Sequence, residues 1–428
     1  MTDIQVLKKQ LKDGVFDERL AEIYGTAEKQ RARYLNSLER YEELFSGDEV
    51  EIYSAPGRTE IGGNHTDHQH GMVLAASIDL DTIAVAAPND ENVIELVSEG
   101  YKPIRVEPAQ NVSDHMKPDE SEYGTTAALI KGVVAGLKER GYRTGGFRAY
   151  MTSNVLKGAG LSSSASFETA IGTILSGLYN DRKVSPVEIA IIGQYAENVY
   201  FGKPCGLMDQ MACSVGGIVH IDFQNPAEPI VNKVDFNLAE EKYSLCIVDT
   251  KGSHADLTDD YAKIPEEMKR VAAFFGKEVL REVPEQEFYQ QLAEVRKQMG
   301  DRNILRAIHF FAENRRVWQE VDALRSGDFT GFLQLVKASG DSSYKYLQNI
   351  YSNKQEQNQP VSVGLAVSES VLGGDGVSRV HGGGFAGTIQ VFVRDEAVAN
   401  YKREMEQIFG EGACHVLRIR KYGGIKVV

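Results

Sequence analysis

The sequence lacks the features of several large protein classes. No apolar run approaches the roughly 20 residues that a membrane-spanning helix needs. The N-terminal segment has charges between its apolar residues, unlike the continuous apolar core of a signal peptide. Only four cysteines occur in 428 residues, none in a C-x-x-C pair, which is too few for a disulfide scaffold. We therefore expect a soluble, cytoplasmic protein.

The chain also lacks an excess of basic residues. Lys and Arg number 47 against 61 Asp and Glu, for a net charge of −14. Such a chain is a poor candidate for binding nucleic acid or an anionic membrane, because both depend on a broad positive surface. A phosphate-bearing ligand remains compatible with this charge, provided that it binds at a local site.

What is present is the composition of a folded protein, with 42% hydrophobic and 25% charged residues. The length favours two or three domains. Strand and helix patterns do not strictly alternate, which favours an α+β fold of two lobes. We place the lobes at 1–225 and 226–428. Among the predicted elements are an N-terminal helix with Ile4, Leu7 and Leu11 on one face, and a strand at Val50–Tyr53 that ends in a turn at Pro56-Gly57.

A loop of small residues, GAGLSSS at Gly158–Ser164, precedes a strongly helical run. Gly158 and Gly160 allow tight turns and close approach of a ligand to the backbone. The serines offer hydroxyls and good helix-capping chemistry, and the start of a helix favours an anion. The loop contains neither a Walker pattern nor a G-x-G-x-x-G, so it predicts a phosphate cradle of another kind. A capped helix after a flexible loop is the alternative.

Two further segments concentrate reactive side chains. SAPGRTEIGGNHTDHQHG, at Ser54–Gly71, contains Arg58, which can stabilise charge on a transferring phosphoryl group, together with His65 and Asp67, which suit sugar hydroxyls. ENVYFGKPCGLMDQ contains Glu197 and Asp209. One carboxylate could hold magnesium and the other accept a hydroxyl proton. Alternatively, Glu197 lies on a solvated helix face and Asp209 caps a helix.

These segments, in this order, resemble motifs of the galactokinases, which are GHMP small-molecule kinases. The matching stretches are APGR…GxHTD at Ala55–Asp67, GxGLSSSA at Gly158–Ala165, CGLMDQ at Cys205–Gln210 and RVHGGGFAG at Arg379–Gly387. Weaker similarity at 249–261 and 309–317 extends the resemblance over about residues 30–395. Several motifs in one order are more specific than any single motif.

The resemblance implies a two-lobed kinase fold, a cleft between the lobes as the active site, and the transfer of phosphate from Mg²⁺-ATP to the C1 hydroxyl of galactose. Asp209 would accept or orient the hydroxyl proton, Arg58 would stabilise the phosphoryl group and the charge of Asp209, and Ser164 and Glu197 would hold Mg²⁺. The implied phosphate cradle is Gly158, Ala159, Gly160, Leu161, Ser162, Ser163 and Ser164; the implied sugar contacts are Asn64, His65, Asp67, Gly206 and Tyr261, with Gly383 and Gly384 shaping the site from the second lobe. The partners would be ATP and a monosaccharide, and the chain a monomer or homodimer.

The chain departs from the family pattern at one specificity position. Asn64 stands where the galactokinases usually carry a glutamate that faces the C6 end of the sugar. A neutral amide would tolerate the C6 hydroxyl and would not repel a carboxylate there. Together with His68, which replaces a usual tyrosine, Asn64 leaves a galacturonate 1-kinase as an alternative. His381 and Ala386 also differ from the usual third motif.

Two other classes of function are compatible with parts of the sequence. His65, His68 and His70 could form a zinc site in a metal-dependent hydrolase, although no other zinc motif accompanies them. A non-catalytic sugar sensor could have kept the kinase fold. Retention of Arg58 and Asp209 favours catalysis over the sensor.

Overall fold

The computed structural model describes residues 1–45, 47, 49–107, 119–156, 158–252 and 257–428. Within these ranges the strands are β1 (Thr2–Asp3), β2 (Glu49–Gly62), β3 (Met72–Pro88), β4 (Ile94–Ser98), β5 (Ile104–Val106), β6 (Phe147–Ser153), β7 (Ile218–Asp222), β8 (Ile230–Val234), β9 (Tyr243–Asp249), β10 (Gly376–Val380), β11 (Thr388–Arg394), β12 (Cys414–Leu417) and β13 (Ile425–Lys426).

The α-helices of the same ranges are α1 (Ile4–Lys12), α2 (Asp17–Tyr24), α3 (Glu28–Leu44), α4 (Thr126–Glu139), α5 (Ser163–Asn180), α6 (Pro186–Tyr195), α7 (Met208–Val215), α8 (Thr258–Phe274), α9 (Glu285–Gln290), α10 (Leu292–Met299), α11 (Asp301–Ser326), α12 (Phe329–Ser342), α13 (Pro360–Leu372) and α14 (Val398–Phe409). Helices α6 and α12 each continue as one π-helical turn, at Ala196–Tyr200 and Ser343–Leu347. Short 3₁₀ turns lie at Asp67–Gln69, Glu120–Glu122, Leu238–Glu241, Leu280–Glu282 and Asp395–Ala397. The predicted α+β class is confirmed.

The larger sheet carries the first of the predicted site segments. Its strand order is β1-β2-β3-β6-β4-β5, with β13 paired to β2 and with β7 and β8 extending from β3. All of these pairs are antiparallel except β4 with β6. Because β2 and β3 are long, the segment that follows β2 is held at a defined edge of the sheet.

The smaller sheet, in the order β10-β11-β9-β12, faces the larger one across a shared core. Leu74 and Ile78 come from the larger sheet, Leu245 and Phe392 from the smaller one, and Val321 from α11. Burial of these side chains is the main favourable contribution to holding the two sheets together. The loop between β10 and β11 is thereby fixed against the end of β2.

The predicted turn at Pro56-Gly57 is wrong, because β2 runs through it to Gly62. Pro56 pairs with Asp81 and Arg58 with Ser77, and the register shifts between them. A bulge thus accommodates the proline, which has no N–H to donate. Glycine at 57 also has a packing reason, since an added Cβ would lie 2.7 Å from the Leu161 carbonyl oxygen. Pairing with β3 outweighs the turn preference of the dipeptide.

Helices α1–α3 cover one face of the larger sheet. As predicted, Ile4, Leu7 and Leu11 are buried, together with Tyr34 and Leu38 of α3. The boundary between lobes at residue 225 stays a prediction; β8 and β13 both join the larger sheet. In the described ranges, no helix combines the length and apolar character that crossing a membrane requires.

Candidate active site

An arginine, an aspartate and a serine from three distant segments meet at the start of α7. Arg58 on β2 donates from Nε to Asp209 Oδ1 at 2.7 Å, and Ser162 donates its hydroxyl hydrogen to Asp209 Oδ2. The Arg58 guanidinium also donates to the carbonyl of Gly160. Each Asp209 oxygen therefore has a donor, and the carboxylate is held in one orientation.

The environment of Asp209 keeps it ionised. Burial pushes the pKa of Asp209 upward, but the charge of Arg58 and the hydrogen bonds from Arg58 and Ser162 outweigh burial, and the pKa lies below its usual value. A third of the Asp209 side chain remains exposed, at 33%. An ionised carboxylate that a ligand can reach is thus present at the position where the sequence predicts the proton acceptor.

The small-residue loop folds into a series of left-handed conformations before α5. The backbone φ angle is +74° at Gly158, +66° at Gly160 and +59° at Ser162. Such alternation turns successive N–H groups toward one side, which favours an anion, as does the start of the helix. Ser162 occupies the N-cap position of α5 without a side-chain capping bond, and its hydroxyl donates to Asp209.

Glu197 lies in the π-helical turn after α6 and is buried, with 2% of its surface exposed. The alternative that placed it on a solvated face is therefore wrong. The Ser164 hydroxyl lies 3.4 Å from Glu197 Oε1, so the two residues that the resemblance names for Mg²⁺ are neighbours, and their role as ligands stays a prediction. Single π-helical turns occur frequently at functional sites.

A second carboxyl group, Glu168, was missed by the sequence analysis. It is buried on α5, and both Glu168 and Glu197 accept from the Gln210 amide, at 3.1 and 2.8 Å. Burial and the nearby charge of Glu197 raise the pKa of Glu168 well above its usual value. Its spacing of four residues from Ser164 on one helix was the available signal.

The segment between β2 and β3 is held from below by α11. Glu313 accepts from the Gly63 N–H at 3.0 Å, and the Thr66 hydroxyl donates to the Gly63 carbonyl at 2.8 Å. Burial opposes the ionisation of Glu313, but neighbouring cations, Arg316 first, lower its pKa to about 2. These bonds fix the loop that presents His65 and Asp67.

Asp67 presents an oxygen next to the segment that carries Gly206 and Asp209. Its Oδ1 accepts from the His68 N–H at 2.9 Å, while Oδ2 lies against Gly206, where an added Cβ would be only 2.1 Å away. Glycine is therefore required at 206 for this approach. Burial raises the pKa of Asp67, and the charge of Asp209 raises it further. Asp67 and Gly206, predicted as sugar contacts, thus lie together beside Asp209.

His65 joins the loop to the smaller sheet. Its Nε2 lies 3.0 Å from the Gly383 carbonyl, which can only accept, so Nε2 carries the hydrogen. Burial lowers the pKa of His65 to about 4, so the ring is neutral at pH 7. Nδ1 is consequently an acceptor, which suits a sugar hydroxyl.

Tyr261 and the glycines of the β10–β11 loop also meet. The Tyr261 hydroxyl donates to the Gly384 carbonyl at 2.7 Å, and an added Cβ at Gly383 would lie 2.8 Å from the tyrosine ring. Residues 253–256 of the 249–261 similarity lie outside the described residues. Tyr261, Gly383 and Gly384 therefore lie together beside His65, and a sugar contact by Tyr261 stays a prediction.

Asn64 uses its side-chain amide within the protein. Its Nδ2 donates to Glu60 Oε1 at 2.9 Å and to the Gly382 carbonyl at 2.7 Å. Its Oδ1 accepts from the Ser343 hydroxyl at 3.2 Å and from Asn349 Nδ2 at 2.9 Å. A side-chain amide has two hydrogens and two lone pairs on oxygen, so its capacity is filled. Direct contact with a sugar stays a prediction that would require one of these bonds to be replaced.

An Asn64→Asp substitution tests whether Asn64 shapes the loop or reads the sugar. We expect the free energy of unfolding to fall by about 2–4 kcal/mol, because two donors are lost and a carboxylate faces Glu60. The kcat/KM values for galactose and galacturonate should fall by the same factor. Asn180→Asp, at another buried asparagine with bonds to the Arg143 backbone, is the matched control for stability. A changed ratio between the two sugars would show direct recognition by Asn64.

His381, which the sequence left without a consequence, connects the third motif to the other two. Its Nε2 accepts from the Glu60 N–H at 3.3 Å, so Nδ1 carries the hydrogen that faces the Thr388 hydroxyl at 3.0 Å. Thr388 in turn donates to the Ala159 carbonyl at 3.2 Å. This chain of bonds links β2 to the phosphate loop. Ala386 is buried among apolar side chains around α8.

The histidines of the first segment do not form a metal cluster. The His65 and His68 rings lie 5.6 Å apart between centroids, and His65 is bonded to Gly383. Among the residues that the structure describes, no group of three or more His, Cys, Asp and Glu side chains is arranged to hold a metal ion. The geometry gives no support to a zinc hydrolase.

Two family models match separate segments that contribute to this site, and related proteins match most of the chain. The galactokinase galactose-binding signature matches residues 39–88, and the N-terminal domain of GHMP kinases matches residues 128–217. A galactokinase of Actinobacillus pleuropneumoniae is 30% identical over 354 residues, which are 82% of this chain and 86% of the relative. The chain belongs to the galactokinase family. A Streptomyces coelicolor galactokinase is 29% identical over 386 residues, 89% of this chain and 94% of that protein.

Solved structures of the galactokinase family and beyond it share the fold. The Lactococcus lactis galactokinase, crystallised with galactose, superposes with a TM-score of 0.75 at 26% identity, covering 92% of this chain and all of that one. The Methanococcus jannaschii mevalonate kinase has a TM-score of 0.57 at 17% identity, covering 87% and 98%, which indicates the fold alone. This member of the galactokinase family therefore has the GHMP kinase fold, and it is a phosphotransferase enzyme.

Proposed function

We propose that this enzyme transfers the γ-phosphoryl group of ATP to the C1 hydroxyl of galactose. The observation that carries the proposal is the position of Asp209. It is ionised, held by Arg58 and by Ser162 of the phosphate loop, and it lies beside Asp67 and Gly206. A carboxylate between a phosphate cradle and a set of sugar-binding groups is the arrangement that phosphoryl transfer to a hydroxyl requires.

In the proposed reaction, Asp209 accepts a hydrogen bond from the C1 hydroxyl and aligns its oxygen for attack on the γ-phosphorus. The new P–O bond forms as the bond to the ADP oxygen breaks, and the hydroxyl proton passes to Asp209. Because the pKa of Asp209 is lowered, its proton affinity is small. We therefore expect proton transfer late, when the sugar oxygen has become acidic. Arg58 neutralises charge on the transferred group.

The oxygens around Ser164 fit the magnesium ion that accompanies ATP. Mg²⁺ prefers oxygen ligands and usually takes one or two from the protein, with phosphates and water completing the shell. The Ser164 hydroxyl and Glu197 Oε1, 3.4 Å apart, would supply them. When bound, the ion would neutralise charge on the phosphates and help to align them. Glu168 would support Glu197 through Gln210.

The first test is an ADP-release assay with Mg²⁺-ATP on galactose, galacturonate, glucose and arabinose. Turnover of galactose well above the other three sugars is expected. Absence of turnover on all four would contradict the proposed function. Size-exclusion chromatography of the same preparation would decide between a monomer and a homodimer, and cell fractionation would test the cytoplasmic location that we include in the proposal.

A second candidate substrate is galacturonate, because two cations lie near the histidines of the signature loop. Arg306 acts on His65, and Lys269 acts on His68. Asn64 adds no carboxylate on this side. A sugar carboxylate placed there would meet favourable charges instead of the repulsion of a glutamate. Preferred turnover of galacturonate in the assay above would select this candidate.

A further inference from the structure

A lysine that the proposed mechanism does not use lies among the acids of the site. Lys203 Nζ is 2.9 Å from Glu197 Oε1. It also acts electrostatically on the carboxyl groups of Glu168 and Asp209. The Lys203 side chain is 61% exposed, whereas that of Glu197 is 3% exposed. A buried anion is thus capped by a cation that solvent and ligands can reach.

The backbone around Lys203 is fixed, so the position of this lysine is a feature of the fold. The Lys203 N–H donates to the Glu197 carbonyl at 3.1 Å, and the Cys205 N–H donates to Asn198 Oδ1 at 2.6 Å. Gly202 before it has φ of +77°, and an added Cβ there would lie 2.5 Å from the Tyr123 ring. The π-helical turn and this anchored segment together place the ammonium group beside Glu197.

The charges in the site change when a nucleotide arrives. The phosphates of ATP would enter next to Ser164, whose hydroxyl is 3.4 Å from the Glu197 oxygen that Lys203 contacts. The Arg58 guanidinium already donates from Nε to Asp209 and from one terminal nitrogen to the Gly160 carbonyl. A lysine is a compact charge on a flexible stem and can exchange one oxygen partner for another. Because Glu197 is buried, Lys203 also compensates its charge in the free enzyme, so a phosphate contact has to be distinguished from charge compensation.

We propose that Lys203 is a phosphate-binding residue, which pairs with Glu197 in the free enzyme and contacts the terminal phosphates of bound ATP. The proposal rests on the proposed function, because it assumes that ATP occupies the loop Gly158–Ser164. In this role Lys203 releases Glu197 as the nucleotide binds, so that Glu197 becomes available to the accompanying Mg²⁺.

The test compares nucleotide affinity by isothermal titration calorimetry in wild type, Lys203→Met and Lys203→Arg. We expect Lys203→Met to weaken ATP binding by about tenfold, the equivalent of one charge-assisted hydrogen bond at a partly exposed site. Binding of adenosine and of galactose should not change, and Lys203→Arg should recover most of the loss. Lys183→Met, at an exposed lysine paired with Asp181, is the matched control and should bind ATP normally.

A double-mutant cycle with Glu197→Gln, run in EDTA, separates a phosphate contact from mere neutralisation of Glu197. If Lys203 contacts the phosphates of ATP, Lys203→Met should weaken ATP binding both in wild type and in the Glu197→Gln variant. A loss that disappears in the Glu197→Gln background, an equal loss for adenosine, or an unchanged ATP affinity would overturn the proposal. If wild type turns over galactose normally in these cases, only the role of Lys203 fails; if wild type does not bind ATP, the proposed function fails as well.

Discussion

An Asp209→Asn variant is expected to lose about 10³-fold in kcat with galactose, the middle of the range for removal of a positioned acid–base group. The substitution keeps the shape of the side chain but removes the charge that faces Arg58 and the acceptor for the sugar proton. Binding of ATP and of galactose should persist, because Arg58 and Thr388 hold the phosphate loop and the His65–Asp67 segment has its own anchors. Coupled turnover assays and calorimetry measure the two properties separately.

The control for Asp209→Asn is Glu95→Gln. Glu95 pairs with Arg148 at 2.9 Å between β4 and β6 and has a similar partial exposure, but it lies outside the candidate site. It should show unchanged kcat. A normal kcat for Asp209→Asn would remove Asp209 from the mechanism. A loss of sugar or ATP binding without a change in kcat would instead assign it to ground-state binding.

Most of the reactive residues could be predicted because each motif brings its chemistry within a short stretch of chain. Gly158, Gly160 and the serines lie close together in the sequence, and this proximity alone predicts an anion-binding turn. The motif order then predicts which acid and which arginine meet. Arg58 and Asp209 are 151 positions apart, and the ion pair between them was expected from the resemblance before the fold was known.

The parts that could not be predicted depend on tertiary pairing. The strand through Pro56 exists because β3 supplies partners on both sides of a bulge. One π-helical turn, which no local sequence pattern predicts, buries Glu197 and places Lys203 beside it. Similarly, the hydrogen bonds that fill the Asn64 amide come from residues as distant as Asn349, so its role could not be read from its own segment.

Asp81 is the clearest case of a residue that only the fold reveals, and its replacement should have the largest effect on stability. It is completely buried at the β2–β3 hairpin and accepts from Arg33 of α3, Tyr24 of α2, Ser54 of β2 and Arg420 of the C-terminal segment. The Arg420 contact is 3.0 Å, and that ion pair is inaccessible on both sides. One carboxylate thus joins the N-terminal helices, the larger sheet and the end of the chain.

We expect Asp81→Asn to lower the free energy of unfolding by about 3–5 kcal/mol, because it leaves the buried guanidinium of Arg420 and the partly buried one of Arg33 without a counter-charge. Urea unfolding followed by circular dichroism and by the fluorescence of Trp318, the single tryptophan, measures this loss and tests whether the transitions coincide. Asp222→Asn, which removes the partner of Arg281 in a less enclosed pair, should cost less. Equal stability of wild type and Asp81→Asn would contradict the role of this network.

The difference in the free energy of unfolding between wild type and Asp81→Asn should depend on pH in one direction. Burial opposes ionisation of Asp81, but Arg33 and Arg420 outweigh it and hold its pKa below the usual value. A carboxyl group with a lowered folded pKa adds stability that is complete above its unfolded pKa of about 4 and is lost as the pH falls through the folded value. The difference between wild type and Asp81→Asn should therefore be constant near neutral pH and shrink below about pH 4. A difference that grows on acidification would mean that Asp81 is protonated in the native protein and that Arg33 and Arg420 are balanced by other groups.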